Sequence, residues 1–374
     1  MNTAPPRILT VEQIKLKRAG TGLRALDRER AWPGFTLFAL YQSKSTAVYL
    51  IDLEGTVVHT WQMPYPAQYG CLTERGTLFY NGKTPSGPNK FISDKPYKIG
   101  AVMEVDWNGR VLWEVRNPNH HHDGIRLRNG NVLLLCLTKL PHDLVTKIKG
   151  GRAGTEHNGE MYGDYLVEMT TDGRLVREYS LWEHLDPEID RIMAIQEPRD
   201  VWTNGNGLAE LQNVDIVVSF RTISTIVILE RSTGKIIWKL GAPPLCGQHA
   251  PVPLANGNLL IFDNGPHRLD HPMPFSRIIE VEMTTKRIVW EYREKRESDF
   301  FSPRISNAQR LPNGNTLICE GDFGRLFEVT VGGDIVWEYI SPYFGGSPKN
   351  NRVFRAYRYS AEEIARARAT RPTL

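Results

Sequence analysis

The chain repeats one short pattern six times, and this repeat restricts the possible folds more than any other feature. Each copy contains an alternating apolar segment, a turn that is usually centred on Gly, and a second segment that usually ends in Trp or Tyr. Alternation on both sides of a glycine turn predicts a β-hairpin. The copies are LIDLEGTVVHTW (50–61), MEVDWNGRVLWEV (103–115), VEMTTDGRLVREY (167–179), VILERSTGKIIWKL (227–240), IEVEMTTKRIVWEY (279–292) and FEVTVGGDIVWEY (327–339).

A second pattern fills the intervals between these hairpins and adds two more strands to each repeat. Three of its copies turn at an Asn-Gly-Asn triplet, at residues 129–131, 256–258 and 313–315, and such triplets favour the positive φ of tight turns. Four strands per repeat, with a period of roughly 40–60 residues, are typical of small sheets arranged radially. The sequence therefore predicts an all-β fold, a six-bladed β-propeller whose blades are four-stranded antiparallel sheets.

The repeats also predict how the chain is organised. Residues 1–374 are expected to form one domain in which residues 34–340 build the blades. The first blade has no recognisable innermost strand. The flanking segments 1–33 and 341–374 are expected to pack outside the ring. The tail over 360–371 begins with a Ser-x-x-Glu capping pattern, which predicts a short helix there.

Composition and charge argue against several classes of protein. The net charge of +4 is small and dispersed, so no nucleic-acid partner is expected. No stretch approaches about 18 apolar residues, so no membrane span or membrane partner is expected. The start of the sequence lacks the apolar core of a signal peptide, and the chain is expected to be cytoplasmic. A homodimer stays open. The four cysteines show no CxxC spacing and are expected to be mostly buried free thiols.

Strand direction predicts that one face of the propeller carries the function. Strands alternate in direction within a blade, so the starts of innermost strands and the ends of second strands share one face. The long connections fall on this face, at residues 81–100, 138–164 and 180–205, while the opposite face has short turns. Long loops on a rigid scaffold commonly carry binding and catalytic residues. A helix is expected within the third connection, over residues 181–196.

Polar side chains at these positions converge on the central axis, and such convergence in a concave mouth predicts a binding site. Structural roles stay open for some of them: Arg221 as an ion pair between blades, Asn206 and Asn264 as partners of turn backbone groups, His122 as a backbone-bonded turn residue. His59 occupies the Trp position of its hairpin and is expected to be structural. The converging residues are Tyr69, His120, His121, His122, Asp123, Asn204, Asn206, Gln248, His249 and Asn307, with Lys83, Arg221, Asp263, Asn264, Glu320 and Asp322 at the ends of second strands.

Three segments that include these residues resemble the arylsulfate sulfotransferase family, whose members are six-bladed propellers. The segments are HHDGIRLRNGNVLLL (121–135), STIVILERSTGKIIWKLG (224–241) and QHAPVPLANGNLLIFDNG (248–265), and the likeness extends over about residues 34–339. The resemblance implies a ping-pong reaction without a cofactor. A sulfuryl group passes from an aryl sulfate to a phenolic acceptor through a sulfohistidine.

The resemblance also implies roles for individual residues. His249 corresponds to the nucleophilic histidine, Arg221 to an arginine that holds the sulfate oxygens, and His122 to a histidine that lines the pocket. A neutral imidazole is a competent nucleophile near pH 7, and a guanidinium fork matches a sulfate. A second imidazole can exchange protons with the leaving group and the acceptor. The expected substrate is a small aromatic or sulfated molecule, and its other contacts are expected to be Asn204, Asn206, Tyr69, Asn264 and His121.

The sequence departs from the family at one position and leaves two other functions open. The family carries His-x-Asn where this chain has Asn-Gly-Asn at 204–206, so an amide replaces one imidazole. The first alternative is a lyase or hydrolase with His249 and His122 as acid and base. A divalent metal held by His121 or His122, His157 and His249 would assist it. The second is a non-catalytic propeller that binds a ligand, because fold alone does not imply function.

Overall fold

Six small antiparallel sheets surround one axis in the computed structural model, which describes residues 20–85, 88–346 and 350–370. The predicted six-bladed propeller of four-stranded blades is therefore confirmed. Blades two to five each use four strands that are consecutive in the sequence. Blade one combines a strand from near the C-terminus with three early strands, and blade six carries an additional outer strand.

The strands of each blade follow one another from the axis outward. Blade one contains β25 (Val353–Tyr359), β2 (Phe35–Leu40), β3 (Ala47–Ile51) and β4 (Val57–Gln62), and blade two contains β5 (Ala67–Leu72), β6 (Leu78–Lys83), β7 (Gly100–Val105) and β8 (Val111–Arg116). Blade three contains β9 (His120–Arg126), β10 (Val132–Lys139), β11 (Tyr162–Met169) and β12 (Leu175–Ser180), and blade four contains β13 (Gly205–Glu210), β14 (Ile216–Phe220), β15 (Thr225–Leu229) and β16 (Ile236–Leu240). Blade five contains β17 (His249–Pro253), β18 (Leu259–Asp263), β19 (Arg277–Val281) and β20 (Ile288–Tyr292). Blade six contains β21 (Asn307–Arg310), β22 (Thr316–Glu320), β23 (Arg325–Val329), β24 (Ile335–Ile340) and the added β1 (Gly22–Leu26), and the short helices are α1 (Lys90–Ser93), α2 (His142–Val145) and α3 (Ala361–Ala369).

The C-terminal strand closes the ring, which corrects the expectation that residues 341–374 pack outside it. β25 pairs with β2 and occupies the innermost position of blade one, where the sequence offered no early strand. Without β25, the inner edge of β2 would present unpaired backbone groups at the axis. The last strand of the chain therefore completes the first blade.

Closure uses an ion pair that is repeated around the ring. Arg358 on β25 pairs with Glu328 on the third strand of blade six, and both side chains are fully buried. The same kind of pair joins blade three to blade two and blade six to blade five. Those pairs are Arg126 with Glu104 at 2.9 Å and Arg310 with Glu280 at 2.7 Å. The closing strand thus carries the same inter-blade arginine as the innermost strands of blades three and six.

The first described residues add an outer strand to blade six, and a short helix follows the closing strand. β1 extends the outer edge of blade six by pairing with β24, while residues 1–19 lie outside the described residues. The helix predicted over 360–371 is confirmed as α3. The Ser360 side chain accepts the backbone N–H of Glu363, and the Glu363 carboxylate accepts the backbone N–H of Ser360.

One position of the hairpin repeat ties neighbouring blades together. In five blades its side chain approaches a backbone carbonyl in the turn of the next blade within hydrogen-bonding distance. In blade one this residue is His59, whose Nε2 lies 2.9 Å from the carbonyl oxygen of Trp107, so its expected structural role is confirmed. The other donors are Arg177 to Arg231 and Ser232, Trp238 to Met283, Trp290 to Val331 and Trp337 to Leu53.

The third long connection is less helical than expected. The helix predicted over 181–196 is wrong, because only Leu181–His184 forms a single 3-10 turn. The side chain of Asp186 accepts the backbone N–H groups of Glu188 and Ile189, which favours a turn over a continuing helix. None of the helices in the described part of the chain has the length and apolarity to span a bilayer.

Removal of the closing ion pair is expected to destabilise the whole propeller. Arg358→Ala leaves the carboxylate of Glu328 buried without its cation, which should lower the free energy of unfolding by about 3–5 kcal/mol. Urea denaturation followed by tryptophan fluorescence measures the loss. Arg174→Ala, which breaks an exposed pair with Asp172, is the control and should change little. Equal stability of the two variants would contradict the closing role of Arg358.

Candidate functional site

The innermost strands bulge where the predicted site residues lie. In blade three, His120 pairs with Cys136 and Gly124 pairs with Leu134, so the three residues 121–123 stand opposite one residue of the next strand. A bulge turns side chains out of the ladder and is common beside active sites. Comparable irregularities occur at the same level in four other blades, at Gln68, at Asn206, at Ala250 with Pro251 and at Phe354 with Arg355.

Strained backbone is concentrated at the same level. Positive φ occurs at His122 (48°), Asn204 (47°), Ala250 (45°) and Ile305 (52°), all at or just before the start of an innermost strand. Such conformations cost of order 1–3 kcal/mol each and persist where the surrounding structure imposes them. The mouth on the face with the long loops is therefore the strained end of the channel.

His249 is held in one orientation by two hydrogen bonds. Its Nδ1 lies 2.8 Å from Oδ1 of Asn264, and its Nε2 lies 3.1 Å from the backbone nitrogen of Ile305. Because the backbone N–H donates, Nε2 is the acceptor and Nδ1 carries the proton. Asn264 is itself fixed by donating to the carbonyls of Ser302 and Ile305. Burial, reinforced by the charge of Arg221, lowers the pKa of His249 to about 3, so its ring is neutral at pH 7.

His122 faces the same mouth from blade three. Its ring stacks on Tyr97 with centroids 4.2 Å apart, and its Nδ1 lies 2.7 Å from Nδ1 of His121. Among the described residues, no hydrogen-bond partner is found for Nε2 of His122. Burial lowers the pKa of His122 well below its usual value, and the neighbouring His121 and His249 add to the effect. This imidazole is neutral, and one of its nitrogens has no partner among the residues that the structure describes.

His121 lies behind His122 and contacts a buried carboxylate. Its Nε2 is 2.9 Å from Oδ1 of Asp164, and both side chains are fully buried. The other carboxylate oxygen accepts the backbone N–H of Gly205 at 2.7 Å and the hydroxyl of Thr203. A Cβ at position 205 would lie 2.9 Å from Oδ1 of Asp164, so the glycine leaves space for the carboxylate.

Arg221 supplies positive charge to the mouth. Its charge lowers the pKa of both His122 and His249, so the three groups lie within electrostatic reach of one another. Its Nη2 pairs with Oε1 of Glu197 at 2.7 Å, so the ion-pair role foreseen for this residue is also present. Burial first, and then a neighbouring lysine, lower the pKa of Lys83 to about 7. The structure thus brings together the three residues that the sequence predicted as catalytic.

The two asparagines of the altered motif occupy different positions. Asn204 is half-buried, and its carbonyl accepts the backbone N–H of Arg221 at 3.2 Å. Asn206 is buried and donates from Nδ2 to the carbonyl of Gln248 at 2.8 Å. Within the described residues, the side-chain oxygens of both asparagines lack a hydrogen-bond partner. Each amide therefore keeps one oxygen acceptor that the described part of the chain leaves unused.

Tyr69 lies deeper, in a buried cluster that the sequence did not predict. Its hydroxyl donates to Asp123, so this group is already engaged and does not join the histidines at the mouth. Asp123 also accepts from Nη2 of Arg355 at 2.7 Å and from the backbone N–H of Leu208 at 2.8 Å. The guanidinium of Arg355 lies over the Tyr69 ring, 4.6 Å from its centroid.

Arg355 was missed because its strand was placed outside the ring. A signal for this strand exists in the sequence, since AYR at 356–358, which ends in Arg358, repeats the GIR of 124–126 and the AQR of 308–310. In each case the arginine pairs with a glutamate of the preceding blade. No comparable repeat points to Asp164 or Tyr97.

An apolar cluster separates the mouth from the rest of the channel. It consists of Tyr41, Tyr69, Ile305 and Phe354, which are buried together. Beyond it, a cavity of about 610 Å³ opens on the opposite face, and only Tyr69 of the predicted site residues lines it. Half-buried Cys71 lines the same cavity, while the other three cysteines are buried, and all four are free thiols. The candidate site is the mouth and not this cavity.

The metal set of the alternative function is not assembled in the part of the chain that the structure describes. Those residues contain no group of three or more His, Cys, Asp or Glu side chains placed to hold a metal ion. His157 packs against Phe91 with ring centroids 4.9 Å apart. His121 contacts His122 and Asp164 instead.

The buried neutral histidines predict a loss of stability in acid. An unfolded histidine protonates near pH 6.5, whereas burial lowers the pKa of His120 to about 3. Between these values the unfolded chain holds the extra proton, so the free energy of unfolding falls as the pH falls, by about 1.4 kcal/mol per pH unit. His120→Asn should reduce the measured slope by about this amount. Leu133→Ala, which destabilises without removing a titrating group, should leave the slope unchanged. An unchanged slope in His120→Asn would contradict the prediction.

Residues 91–342 match the family model described as Arylsulfotransferase (ASST). The chain is similar to the Arylsulfate sulfotransferase AssT of Escherichia coli O6:H1 (strain CFT073), with 24% identity over 365 residues, covering 75% of this chain and 58% of that protein. It is also similar to the protein of the same name from Lelliottia amnigena, with 22% identity over 368 residues and the same coverage. The chain therefore spans little more than half the length of these curated relatives.

A similar fold occurs in the crystal structure of a protein of unknown function from Bacteroides caccae. The TM-score is 0.51 at 13% identity, and the match covers 87% of this chain and 98% of that one. At this identity the likeness concerns the fold alone. The family model, in contrast, covers more than half of the present chain. The protein belongs to the arylsulfotransferase family.

Proposed function

We propose that the protein transfers a sulfuryl group from an aryl sulfate to a phenolic acceptor, with His249 as the nucleophile. The observation that carries this proposal is the fixed tautomer of His249, which has its proton on Nδ1 and its lone pair on Nε2. Membership of the arylsulfotransferase family, and the activity for which two relatives are named, support the substrate class.

The reaction consists of two displacements at sulfur. In the first, Nε2 of His249 bonds to sulfur, the bond from sulfur to the aryl oxygen breaks, and the phenolate leaves with the electron pair. In the second, the acceptor oxygen bonds to sulfur and the nitrogen–sulfur bond breaks, which restores the neutral imidazole. The first phenolate leaves as the anion. We assign to Nε2 of His122 the proton that the acceptor hydroxyl loses in the second displacement, and this nitrogen then gives that proton to the phenolate or to solvent.

The electrostatics of the mouth suit this chemistry. Because the pKa of His249 is lowered to about 3, its nucleophilic lone pair is present throughout the physiological pH range. Arg221 offers the fixed charge that offsets the sulfate oxygens. Its bond to Glu197 uses Nη2, and in the described residues no side-chain hydrogen bond engages its Nε or Nη1. The guanidinium can therefore stay anchored while it holds the anion.

One contact of the resting site must change during the reaction. The backbone N–H of Ile305 donates to the same Nε2 lone pair that attacks sulfur. The entering sulfate has to displace this hydrogen bond, after which the N–H is available to a sulfuryl oxygen. Ile305 and the adjacent Ser306 have φ values of 52° and 86°, so the segment that moves is already strained.

The proposal predicts a burst of phenolate. Mixing the protein with 4-nitrophenyl sulfate should release 4-nitrophenolate in an amount equal to the protein, followed by slow turnover that a second phenol accelerates. His249→Ala should abolish the burst. Arg221→Ala should lower its rate constant by about 10²–10³ because one anion-binding group is lost. Stopped-flow absorbance measures both.

The control for these variants is His142→Ala, which removes an exposed histidine from α2 and should leave the burst unchanged. A folded His249→Ala protein with an undiminished burst would reject His249 as the nucleophile. A parent protein with no burst for any aryl sulfate would reject the proposed function.

Restoring the family histidine is expected to accelerate the first step. Asn204→His adds a donor for the sulfuryl oxygens, and a hydrogen bond to a charged group contributes about 1.5–3 kcal/mol, or roughly tenfold to a hundredfold in rate. Histidine is among the residues that tolerate the positive φ of this position. The burst rate constant with 4-nitrophenyl sulfate is the measurement. A slower burst in a stable Asn204→His protein would show that the amide has its own function.

A further inference from the structure

We infer that Asp164 and His121 form a relay behind His122 that fixes the position of its proton and lets this buried histidine take up a second one. His122 is the catalytic residue in this scheme, and His121 and Asp164 are positioning residues. The chemical use of the relay rests on the proposed function. The proton positions in the resting protein do not depend on it.

Three buried groups form a continuous chain that ends at the mouth. Oδ1 of Asp164 is 2.9 Å from Nε2 of His121, and Nδ1 of His121 is 2.7 Å from Nδ1 of His122. The N–H of His121 is not aimed straight at Oδ1. The two atoms are nevertheless too close, and too far from water, for Nε2 to present a lone pair to a carboxylate. We therefore assign a proton to Nε2 of His121.

This assignment determines the tautomer of His122. With its proton on Nε2, neutral His121 offers a lone pair at Nδ1. The short distance between the two Nδ1 atoms then requires His122 to carry its proton on Nδ1. The remaining lone pair of His122 is on Nε2, the nitrogen without a partner among the described residues. Asp164 thus sets the basic nitrogen of a side chain that it does not touch.

The same chain explains how His122 accepts a proton despite its burial. When a proton arrives at Nε2 of His122, the proton on its Nδ1 can pass along the hydrogen bond to Nδ1 of His121, 2.7 Å from the donor nitrogen. His122 is neutral again with its proton on Nε2, and the positive charge is on His121 beside the carboxylate of Asp164. Reversal of both movements returns the proton to the phenolate. No electrons are exchanged.

The surroundings favour a charge on His121 over a charge on His122. His122 is faced by Lys83, Arg221 and His249, all of which disfavour its protonation, and by the ring of Tyr97. His121 has the Asp164 carboxylate at 2.9 Å and the same tyrosine ring at 5.9 Å. Transfer of the positive charge from His122 to His121 therefore takes it away from neighbouring cations and places it beside a carboxylate.

The relay can be tested in the resting protein. Histidine-selective ¹⁵N labelling, with assignment through His122→Gln and His121→Gln, reports which ring nitrogen carries each proton. We expect Nδ1 of His122 to be protonated and Nε2 to be bare at pH 7. The opposite tautomer in the parent protein would overturn the inference. Because this spectrum is recorded on the parent protein, the result does not depend on whether a charge-changing variant folds.

Asp164→Asn tests the role of the carboxylate. The amide oxygen can still accept from Gly205 and Thr203, which turns the amide nitrogen, a donor, toward His121. His121 must then carry its proton on Nδ1, and His122 is forced to carry its own on Nε2. The spectrum should show this switch, and kcat should fall by about 10²–10⁴ with little change in KM, as expected when a catalytic histidine is held in the wrong tautomer.

The matched control is Glu168→Gln. This carboxylate is buried on the same strand, β11, but it pairs with Arg231 and lies away from the histidines. The control should keep the His122 tautomer and kcat. An unswitched tautomer in folded Asp164→Asn would overturn the relay. A switched tautomer in a protein whose parent shows no sulfuryl transfer would support the relay and reject the proposed function.

Discussion

The buried carboxylate of Asp123 is the contact on which the arrangement around the axis depends. It lies in blade three and accepts hydrogen bonds from Tyr69 in blade two, from the backbone of Leu208 in blade four and from Arg355 on the closing strand of blade one. One carboxylate thus links four of the six blades. A buried charge of this kind is strongly destabilising without its partner, so closure of the ring and order at the axis depend on each other.

This dependence determines what the mouth can contain. Asp123 and Arg355 neutralise each other below the mouth, while Asp164 lies beside His121 and Glu197 is paired with Arg221. Burial together with the charge of Arg221 then keeps His249 and His122 neutral. A nucleophilic imidazole and an anionic substrate both require such a mouth, which is cationic through its arginine and not through its histidines.

The sequence predicted the parts of the molecule that repeat. The alternating hairpins and their glycine turns were sufficient to predict six blades. The positions of His122, Arg221 and His249 within their blades were sufficient to predict that the three residues lie at one mouth. The closing strand was missed because it belongs to a repeat whose other strands lie at the opposite end of the chain. Asp164 was missed for a different reason, because its contact with His121 depends on a β-bulge. The bulge places three residues of β9 opposite one residue of β10, and the alternation of apolar and polar residues does not predict it.

His122 and His249 occupy equivalent positions in blades three and five, so their difference must come from what lies behind each ring. Behind His249 is the amide of Asn264, which accepts the Nδ1 proton but cannot take it up. The ring of His249 is confined to one neutral tautomer. This suits a nucleophile, because the lone pair on its Nε2 has to stay unprotonated. Behind His122 is a second imidazole backed by a carboxylate, which can accept a proton and stabilise its charge. Under the proposed function, the same repeat position carries a nucleophile in one blade and an acid–base group in the other, and the residues behind each ring make the distinction.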